Sequence, residues 1–454
     1  MPTLAQFLCT IWLLGFFFSE TVAGQEPAHI VIGPNVRVSG DSARPYVEMM
    51  IAVNPADSDN LVGASMRIDS SEVITVAVVS RDGGRSWSET PVPSCGWDPW
   101  IGFLPSGVAL VSCLKQGGGP DPVLVVRSED GGATWGESTD LPVARTSYDH
   151  PTLVVDTTDG AGRGTVYVVA GHVSRSNTDR SSLVAPAVVR SVDGGLTFSS
   201  PVRLAATNAW SMVLSAVVLS DGVLGFGFVE YAVDARAAGR GVEELRTPRV
   251  WWVRSDDRGR TLGMPHFVAE IHEMSRWGHV AADASTGPFR GRVYTVVDDF
   301  RDGAGGVFVY HSADRGESWS SAVRASEPDS IPGVRRTPTV AVNHRGEVLV
   351  VWLDPQDDPD RACWRLLAAA SVDGGETFLP PTAVSETAYC NVQPGNVVPL
   401  ASGTFDAAAR WPGGGDYFGL ATHPDGSFRV LWADSRSGVF QLWTASIHLE
   451  DREE

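Results

Sequence analysis

Apolar, β-branched and aromatic residues recur along this chain in short runs that suit strands rather than helices. The clearest are "VITVAVVS" (Val73–Ser80), "PVLVVRS" (Pro122–Ser128), "APAVVRS" (Ala185–Ser191), "VWWVRS" (Val250–Ser255), "GVFVYHS" (Gly306–Ser312) and "RLLAAAS" (Arg365–Ser371). Every run ends on a serine, and a polar turn begins there. The turns read "SRDGGRSW" (Ser80–Trp87), "SEDGGATW" (Ser128–Trp135), "SVDGGLTF" (Ser191–Phe198), "SDDRGRTL" (Ser255–Leu262), "SADRGESW" (Ser312–Trp319) and "SVDGGETF" (Ser371–Phe378). A short segment with Pro or Val follows each. The motif is therefore a hairpin turn between two strands. Its Asp accepts from turn amides, its Gly permits positive φ, and its final aromatic residue anchors the turn.

Two more strands precede each pair. Before the sixth turn they are "TPTVAVN" (Thr337–Asn343) and "EVLVVWL" (Glu347–Leu353); before the third, "HPTLVVD" (His150–Asp156) and "GTVYVVA" (Gly164–Ala170). The unit is thus four strands, A to D, with the motif joining C to D. Such a unit repeating down the chain is a propeller blade. The last unit supplies "DYFGLAT" (Asp416–Thr422), "FRVLWA" (Phe428–Ala433) and "VFQLWTASI" (Val439–Ile447), and lacks a D strand. A spare strand, "HIVIGPNVRV" (His29–Val38), precedes the first unit and can fill that vacancy. Closure removes open sheet edges. The sequence therefore predicts an all-β fold: a single β-propeller of four-stranded blades, seven in number with six as the alternative, closed by the N-terminal strand.

Composition narrows the partners. The chain has 454 residues and a formal charge of −19, so phosphate backbones and anionic membranes are repelled and nucleic acid is excluded as a partner. Residues 1–24 are expected to be a signal peptide, leaving residues 25–454 as the propeller. Phe7–Phe18 is apolar but too short to span a bilayer comfortably, and Thr21-Val22-Ala23 offers small residues for cleavage. No Lys or Arg precedes the apolar run, so an uncleaved anchor or a buried strand stays open. The expected product is secreted or periplasmic, monomeric, and without a membrane span in its mature part.

Four cysteines remain after such cleavage, an even number suited to disulfides in an exported chain. Cys95 and Cys113 flank the turn at Pro105-Ser106-Gly107. Cys363 and Cys390 flank the turn Ser371–Phe378. Each pair faces across a hairpin, which predicts Cys95–Cys113 and Cys363–Cys390.

The pattern Ser-x-Asp-x-Gly-x-Thr/Ser-Trp/Phe resembles the Asp-box, or BNR repeat, of sialidases and related secreted β-propellers. The resemblance implies structural roles for Asp82, Asp130, Asp193, Asp257, Asp314 and Asp373, on a rim away from the substrate. Leu262 replaces the aromatic residue in the fourth copy, so a looser turn is expected there. Sialidases carry an Arg within Phe-Arg-Ile-Pro, which this sequence lacks, and are usually six-bladed. No catalytic residue is carried over from them.

Topology still selects a face. The starts of A and the ends of B lie opposite the turns. The A starts supply Tyr46, Glu48, Asp98, Asp149, His150, Trp277, His279, Arg335, Arg336, Asp416 and Tyr417. The B ends supply Arg67, Asp69, His172, Glu230, Tyr231, Asp298, Asp299, Arg301, Asp354, Asp434 and Arg436. Catalytic candidates are Asp98, Asp149, Glu230, Tyr231, Asp416 and Tyr417, because glycoside hydrolysis needs paired carboxyl groups or a Tyr activated by a Glu. Glu230 and Tyr231 are adjacent on a strand, so they point to opposite sides. Substrate-binding candidates are Arg67, His150, Arg301, Arg336 and Arg436, since guanidinium pairs with carboxylate. Salt bridges between blades are the competing use for these charges.

Asp149-His150, "DDFRD" (Asp298–Asp302) and "DPQDDPD" (Asp354–Asp360) lack metal-ligand spacing, so no metal and no cofactor is expected. No Gly-x-Ser-x-Gly elbow or phosphate loop occurs. The expectation is a propeller that acts on or recognises a glycan or glycoconjugate, an exo-sialidase-type hydrolase in one form. The alternative is a non-catalytic module binding carbohydrate or protein.

Overall fold

A computed structural model describes residues 28–70, 72–116, 122–142, 147–175, 182–204, 209–232, 247–272, 278–301, 303–328, 337–355, 363–400 and 403–450. The expected signal peptide lies outside the described residues, as do Trp277, Arg335, Arg336 and Asp302. No helix among the described residues is long and apolar enough to cross a membrane.

The chain is all-β and forms a seven-bladed propeller. Blade 1 holds Tyr46–Val53, Leu61–Ile68, Val73–Ser80 and Ser88–Pro91 in order, all antiparallel. Blade 2 starts at Cys95–Phe103, blade 3 at Ser147–Val155, blade 4 at Ala209–Val218, blade 5 at Gly278–Ala282, blade 6 at Thr339–Val342 and blade 7 at Gly419–Thr422. These seven innermost strands surround the central channel. Blade 7 takes its fourth strand from the other end of the chain: His29–Ile32 pairs antiparallel with Gln441–Glu450, Ile30 opposite Leu449. The spare strand is broken rather than continuous, and Val36–Arg37 makes a second, separate pairing with the same partner. Pro34 interrupts the ladder because it has no N–H to give.

The core lies between blades. Val62, Ala64, Ala77 and Val79 of blade 1 pack against Ile101, Leu110 and Val125 of blade 2, all buried. Close approach at the axis depends on Gly419, where a Cβ would fall 2.5 Å from the backbone N of Ile51 in blade 1.

The six Ser–Asp turns share one hydrogen-bond pattern. In the third, the Ser191 hydroxyl donates to Asp193 Oδ1 at 2.6 Å, and the Thr197 N–H and hydroxyl donate to the two Asp193 oxygens at 2.9 and 2.5 Å. Ser191 Oγ in turn accepts from Gly195 N at 2.7 Å. The fourth turn is not looser: Asp257 receives Ser255, Thr261 N and Thr261 Oγ1 at 2.9, 2.9 and 2.7 Å. Its polar bonds close the turn whether the last residue is Leu262 or an aromatic ring. Hydroxyl donors from Ser86 and Thr134 hold Asp82 and Asp130 down at about 2. In Asp193, Asp257 and Asp314 partial burial opposes the same bonds, which still pull the carboxyl to about 2. These turns also key each blade to the preceding one, as Asn60 of blade 1 donates to the Gly131 carbonyl of blade 2 at 3.1 Å.

Both expected disulfides are present, Cys95–Cys113 and Cys363–Cys390. The second ties the third strand of blade 6 to a long connection toward blade 7. That connection contains Tyr389–Cys390, the hairpin Val397–Leu400 with Gly403–Asp406, and the short helix Ala407–Arg410. It crosses the face opposite the Ser–Asp turns.

Candidate active site

The innermost strands of blades 1 to 4 each carry a β-bulge near their start, between Val47 and Met49, Trp97 and Trp100, Asp149 and Thr152, and Val213 and Ser215. A bulge bends the strand and re-aims a side chain. The re-aimed residues include Glu48, Asp98 and His150, with φ of 49°, 51° and 50°. Thr337, just before the innermost strand of blade 6, has φ 47°. None is glycine, and left-handed backbone at such residues costs about 1–2 kcal/mol each. Four strained residues from four blades meet at one end of the channel.

Glu48 and Asp98 belong to a carboxylate cluster there with Asp149 and Asp416. Glu48 is 2% exposed, and its Oε2 has no ordinary donor. Burial raises its carboxyl well above the usual range, and the charges of Asp98 and Asp416 raise it further. The carboxyl groups of Glu48 and Asp98 interact at close range, and burial disfavours two charges side by side, so one of them keeps a proton. Glu48 is the deeper and keeps it. Asp98 is raised from 3.8 to about 7 by burial and by the charge of Asp149, with the Glu48 side chain opposing. It also accepts the backbone N–H of His150 at 3.3 Å. Burial raises Asp149 as well, with the His150 N–H opposing. Asp416 pairs with Arg410 at 3.1 Å.

Below the acids lies an aromatic floor. Trp100 stacks on His279 with centroids 5.8 Å apart and meets His150 edge-on at 5.9 Å and Tyr417 at 5.5 Å. Burial holds His150 at about 3 and His279 at about 4, so both imidazoles are neutral at physiological pH. The Tyr417 hydroxyl donates to the Pro99 carbonyl at 3.3 Å. Burial and then the four surrounding carboxylates push its phenol well above 10. Tyr417 is therefore a neutral donor here, not a phenolate nucleophile.

Trp97 and Trp411 wall one side, with centroids 6.5 Å apart, and the Arg410 guanidinium lies over Trp411 at 4.8 Å. Arg410, Trp411, Asp416 and Tyr417 all come from the connection anchored by Cys390. The side chain of Arg410 is 51% exposed, so the site opens to solvent here.

The arginines expected to bind substrate are otherwise engaged. Arg67 holds Asp69 at 3.0 Å and Glu89 at 2.5 Å. Arg301 holds Asp299 through Nε at 2.8 Å and the Tyr310 hydroxyl at 2.6 Å. Arg436 holds Asp434 through Nε at 2.7 Å and Asn35 at 3.1 Å, and stacks on Trp443. The acids that pair Arg67, Arg301 and Arg436 most closely belong to their own blades, so the bridges run within blades rather than between them. Their side chains are 21%, 19% and 15% exposed. Arg336 lies outside the described residues. Tyr231 is fully buried in the core of blades 4 and 5, and Glu230 is half-buried in register with Arg249, so this pair stands apart from the cluster.

Of the expected catalytic residues, Asp98, Asp149, Asp416 and Tyr417 come together. His150, expected to bind substrate, joins them as part of the floor. Glu48 was legible as a residue of this face, but no motif gave it a role. Trp97, Trp100 and Arg410 carried no signal, because their place depends on the bulge and the long connection. The channel's opposite mouth, beside the Ser–Asp turns, holds a cavity of about 570 Å³. Its walls are largely apolar, with Phe103, Leu153 and Val155, and it gathers no carboxylates. Among the described residues no group of His, Cys, Asp and Glu is placed to hold a metal ion.

No family model matches the sequence, and no curated protein matches it. Solved structures do share the architecture. An ulvan lyase of a polysaccharide lyase family aligns with a TM-score of 0.53 at 12% identity, over 90% of this chain and 95% of that one. An α-L-arabinofuranosidase from Fusarium graminearum aligns with a TM-score of 0.50 at 14% identity, over 75% of this chain and 98% of that one. A Hadza microbial sialidase aligns at 0.49 and 17% identity, over 86% and 74%. At these identities the likeness is one of fold.

Proposed function

We propose that this protein is a glycan-acting propeller enzyme whose acid–base chemistry lies in the Glu48–Asp98 carboxyl pair. The observation that carries the reading is the meeting of two carboxyl groups from adjacent blades, both on left-handed backbone, whose burial and shared charge raise each above the usual carboxylate range. Carboxyl groups raised in this way can serve as acid and base near neutral pH. Asp98, at about 7 and partly exposed, is the group that meets substrate. Glu48 lies behind it and sets its protonation. Asp149 and Asp416 add the further carboxylates that a glycosidic bond cleavage can use. The backbone strain under Glu48, Asp98 and His150 fits such a site, since strained residues cluster where function fixes them. Polysaccharide and glycoside enzymes on the same fold support the substrate class by analogy. The engaged arginines argue against a sialidase-type clamp built from Arg67, Arg301 and Arg436.

A second reading, a glycan-binding module without turnover, is favoured by the small pocket of about 10 Å³ between His150, His279, Asp416 and Tyr417. One experiment separates the two. Purified protein is incubated with a panel of aryl glycosides and plant, algal and bacterial polysaccharides, following reducing ends and unsaturated products. Turnover that falls by about 10²-fold or more in Asp98→Asn supports the enzyme. Retention on a glycan array with no turnover on any substrate selects the binding module.

A further inference from the structure

Five of the seven turns between first and second strands begin on a polar side chain: Asn54, Asp156, Asp283, Asn343 and His423. One atom of each does the same work, accepting the N–H two residues on. The distances are 2.9 Å for Asn54, 2.9 Å for Asp156, 2.7 Å for Asp283, 3.0 Å for Asn343 and 3.3 Å for His423. The second polar atom differs between blades. Asn343 Nδ2 donates to the Gly426 carbonyl in the turn of blade 7 at 2.6 Å. His423 Nε2 lies 3.1 Å from the Ser58 carbonyl of blade 1. Here a side-chain N–H joins one blade's turn directly to the next.

Asp156 and Asp283 stand in the same place and have a carboxylate oxygen where Asn343 has an amide. Both residues are 0% exposed, and Oδ2 of each has no hydrogen-bond partner. Each Oδ2 lies near the glycine equivalent to Gly426, although Asp156 Oδ2 is closer to its own blade's Gly162, where a Cβ would fall 2.3 Å away. A Cβ on Gly222 of blade 4 would lie 3.7 Å from Asp156 Oδ2, and one on Gly346 of blade 6 would lie 3.5 Å from Asp283 Oδ2. A buried acceptor with no donor is costly, at about 1–3 kcal/mol. Something must donate to it.

Each carboxylate has a second orphan beside it. The hydroxyls of Tyr167 and Tyr294 are buried, with Thr165 and Arg292 beside them but outside full hydrogen-bonding geometry. Burial raises both phenols, and the neighbouring Asp156 or Asp283 raises them further, so each pair lies within electrostatic reach without touching. The pairing is specific to these blades. Tyr167 and Tyr294 each follow the residue in register with the turn serine, Val166 opposite Ser191 and Val293 opposite Ser312. In blades 6 and 1, where the turn residue is Asn, the same position holds Leu349 and Val62. Asp occurs with Tyr, and Asn occurs with an apolar residue.

A buried hydroxyl and a carboxylate too far apart to bond directly can be joined by a water where the site is polar and has room for one. We propose that one water molecule is bound at each of two blade seams, 3/4 and 5/6, where it accepts from Tyr167 or Tyr294 and donates to Asp156 or Asp283 and to the turn of the following blade. One carboxylate oxygen and one phenol are too few for calcium, which takes six to eight oxygens, roughly, at about 2.4 Å. The two seams are thus hydrated joints in a ring whose 6/7 and 7/1 seams are joined by side chains.

The test is a crystal structure at about 1.5 Å with thermal melts of four variants. An ordered solvent peak at hydrogen-bonding distance, about 2.6–3.1 Å, from each Asp Oδ2 and Tyr hydroxyl is expected. Tyr294→Phe and Tyr167→Phe each remove one arm and should lower Tm by about 2 °C. Tyr294→Leu alone should lower it more. Asp283→Asn combined with Tyr294→Leu, which rebuilds the chemistry of the 6/7 seam, should recover most of that loss. Empty density at both seams would overturn the proposal, as would unchanged Tm in both Phe variants. Contacts near 2.4 Å with a Tm that falls on chelation would replace the water by a cation.

Discussion

Glu48 and Asp98 come from the innermost strands of adjacent blades, both in left-handed backbone, and each carboxyl group is raised by burial and by a neighbouring carboxyl charge. Neither strand alone could place them so. Each bulge turns one carboxyl toward the axis, and the packing of blade 1 on blade 2 brings the two together.

This pair sets a pH dependence of stability. The folded pKa of Asp98 is about 7 against 3.8 for a free side chain, so the native state binds more protons than the unfolded chain between those values. Stability from this group therefore falls as pH rises through that window and is greatest at its acid end. Glu48 is raised too and acts in the same direction. Asp98→Asn should flatten this part of a Tm-against-pH curve measured by calorimetry. If the enzyme reading holds, the same variant removes the activity limb near pH 7.

The Ser–Asp turns should behave in the opposite sense. Asp193 is held at about 2 in the folded state, below 3.8, so its contribution is present above pH 3.8 and lost as pH falls toward 2. Asp193→Ala should cost about 1 kcal/mol, discounted for exposure, and leave glycan binding or turnover unchanged. Urea unfolding and an activity assay on the same preparation check both halves. A loss of activity at full stability would move function to the turn face.

Cys363–Cys390 fastens the connection that delivers Arg410, Asp416 and Tyr417 to the site. The bond closes a loop of 27 residues by sequence separation. Replacing both cysteines by serine should cost about 3 kcal/mol by loop entropy. It should also impair the site more than loss of Cys95–Cys113, whose strands stay paired within blade 2. Comparing the two double variants for Tm and for ligand affinity tests this.

Arg301→Ala leaves the Asp299 side chain, which is 0% exposed, without its guanidinium. A buried carboxylate stripped of its partner destabilises by about 3 kcal/mol. The expected signature is a lower Tm with KM unchanged at a temperature where the variant is folded. A raised KM at unchanged Tm would restore Arg301 as a substrate ligand.

The sequence determined the architecture because a repeat states its own unit. Six Ser-x-Asp turns after β-rich runs fixed the blade. The unmatched strand at His29 fixed the closure, and cysteines placed about two turns fixed both disulfides. These features are local, governed by strand periodicity and turn chemistry, so the order of residues is enough to read them. The same logic placed Asp98, Asp149, His150, Asp416 and Tyr417 on one face.

Only the tertiary structure decided which members of that face meet. Arg67, Arg301 and Arg436 share it with the acids, yet each folds back onto a carboxylate of its own blade. Tyr231 turns into the core because strand residues alternate sides. Glu48 gains its role from a bulge that no periodicity announces, and Arg410 from a long connection whose path depends on Cys390 and the packing of Trp411. Burial, strain and neighbouring charges arise between blades distant in sequence, and a linear pattern carries no term for them.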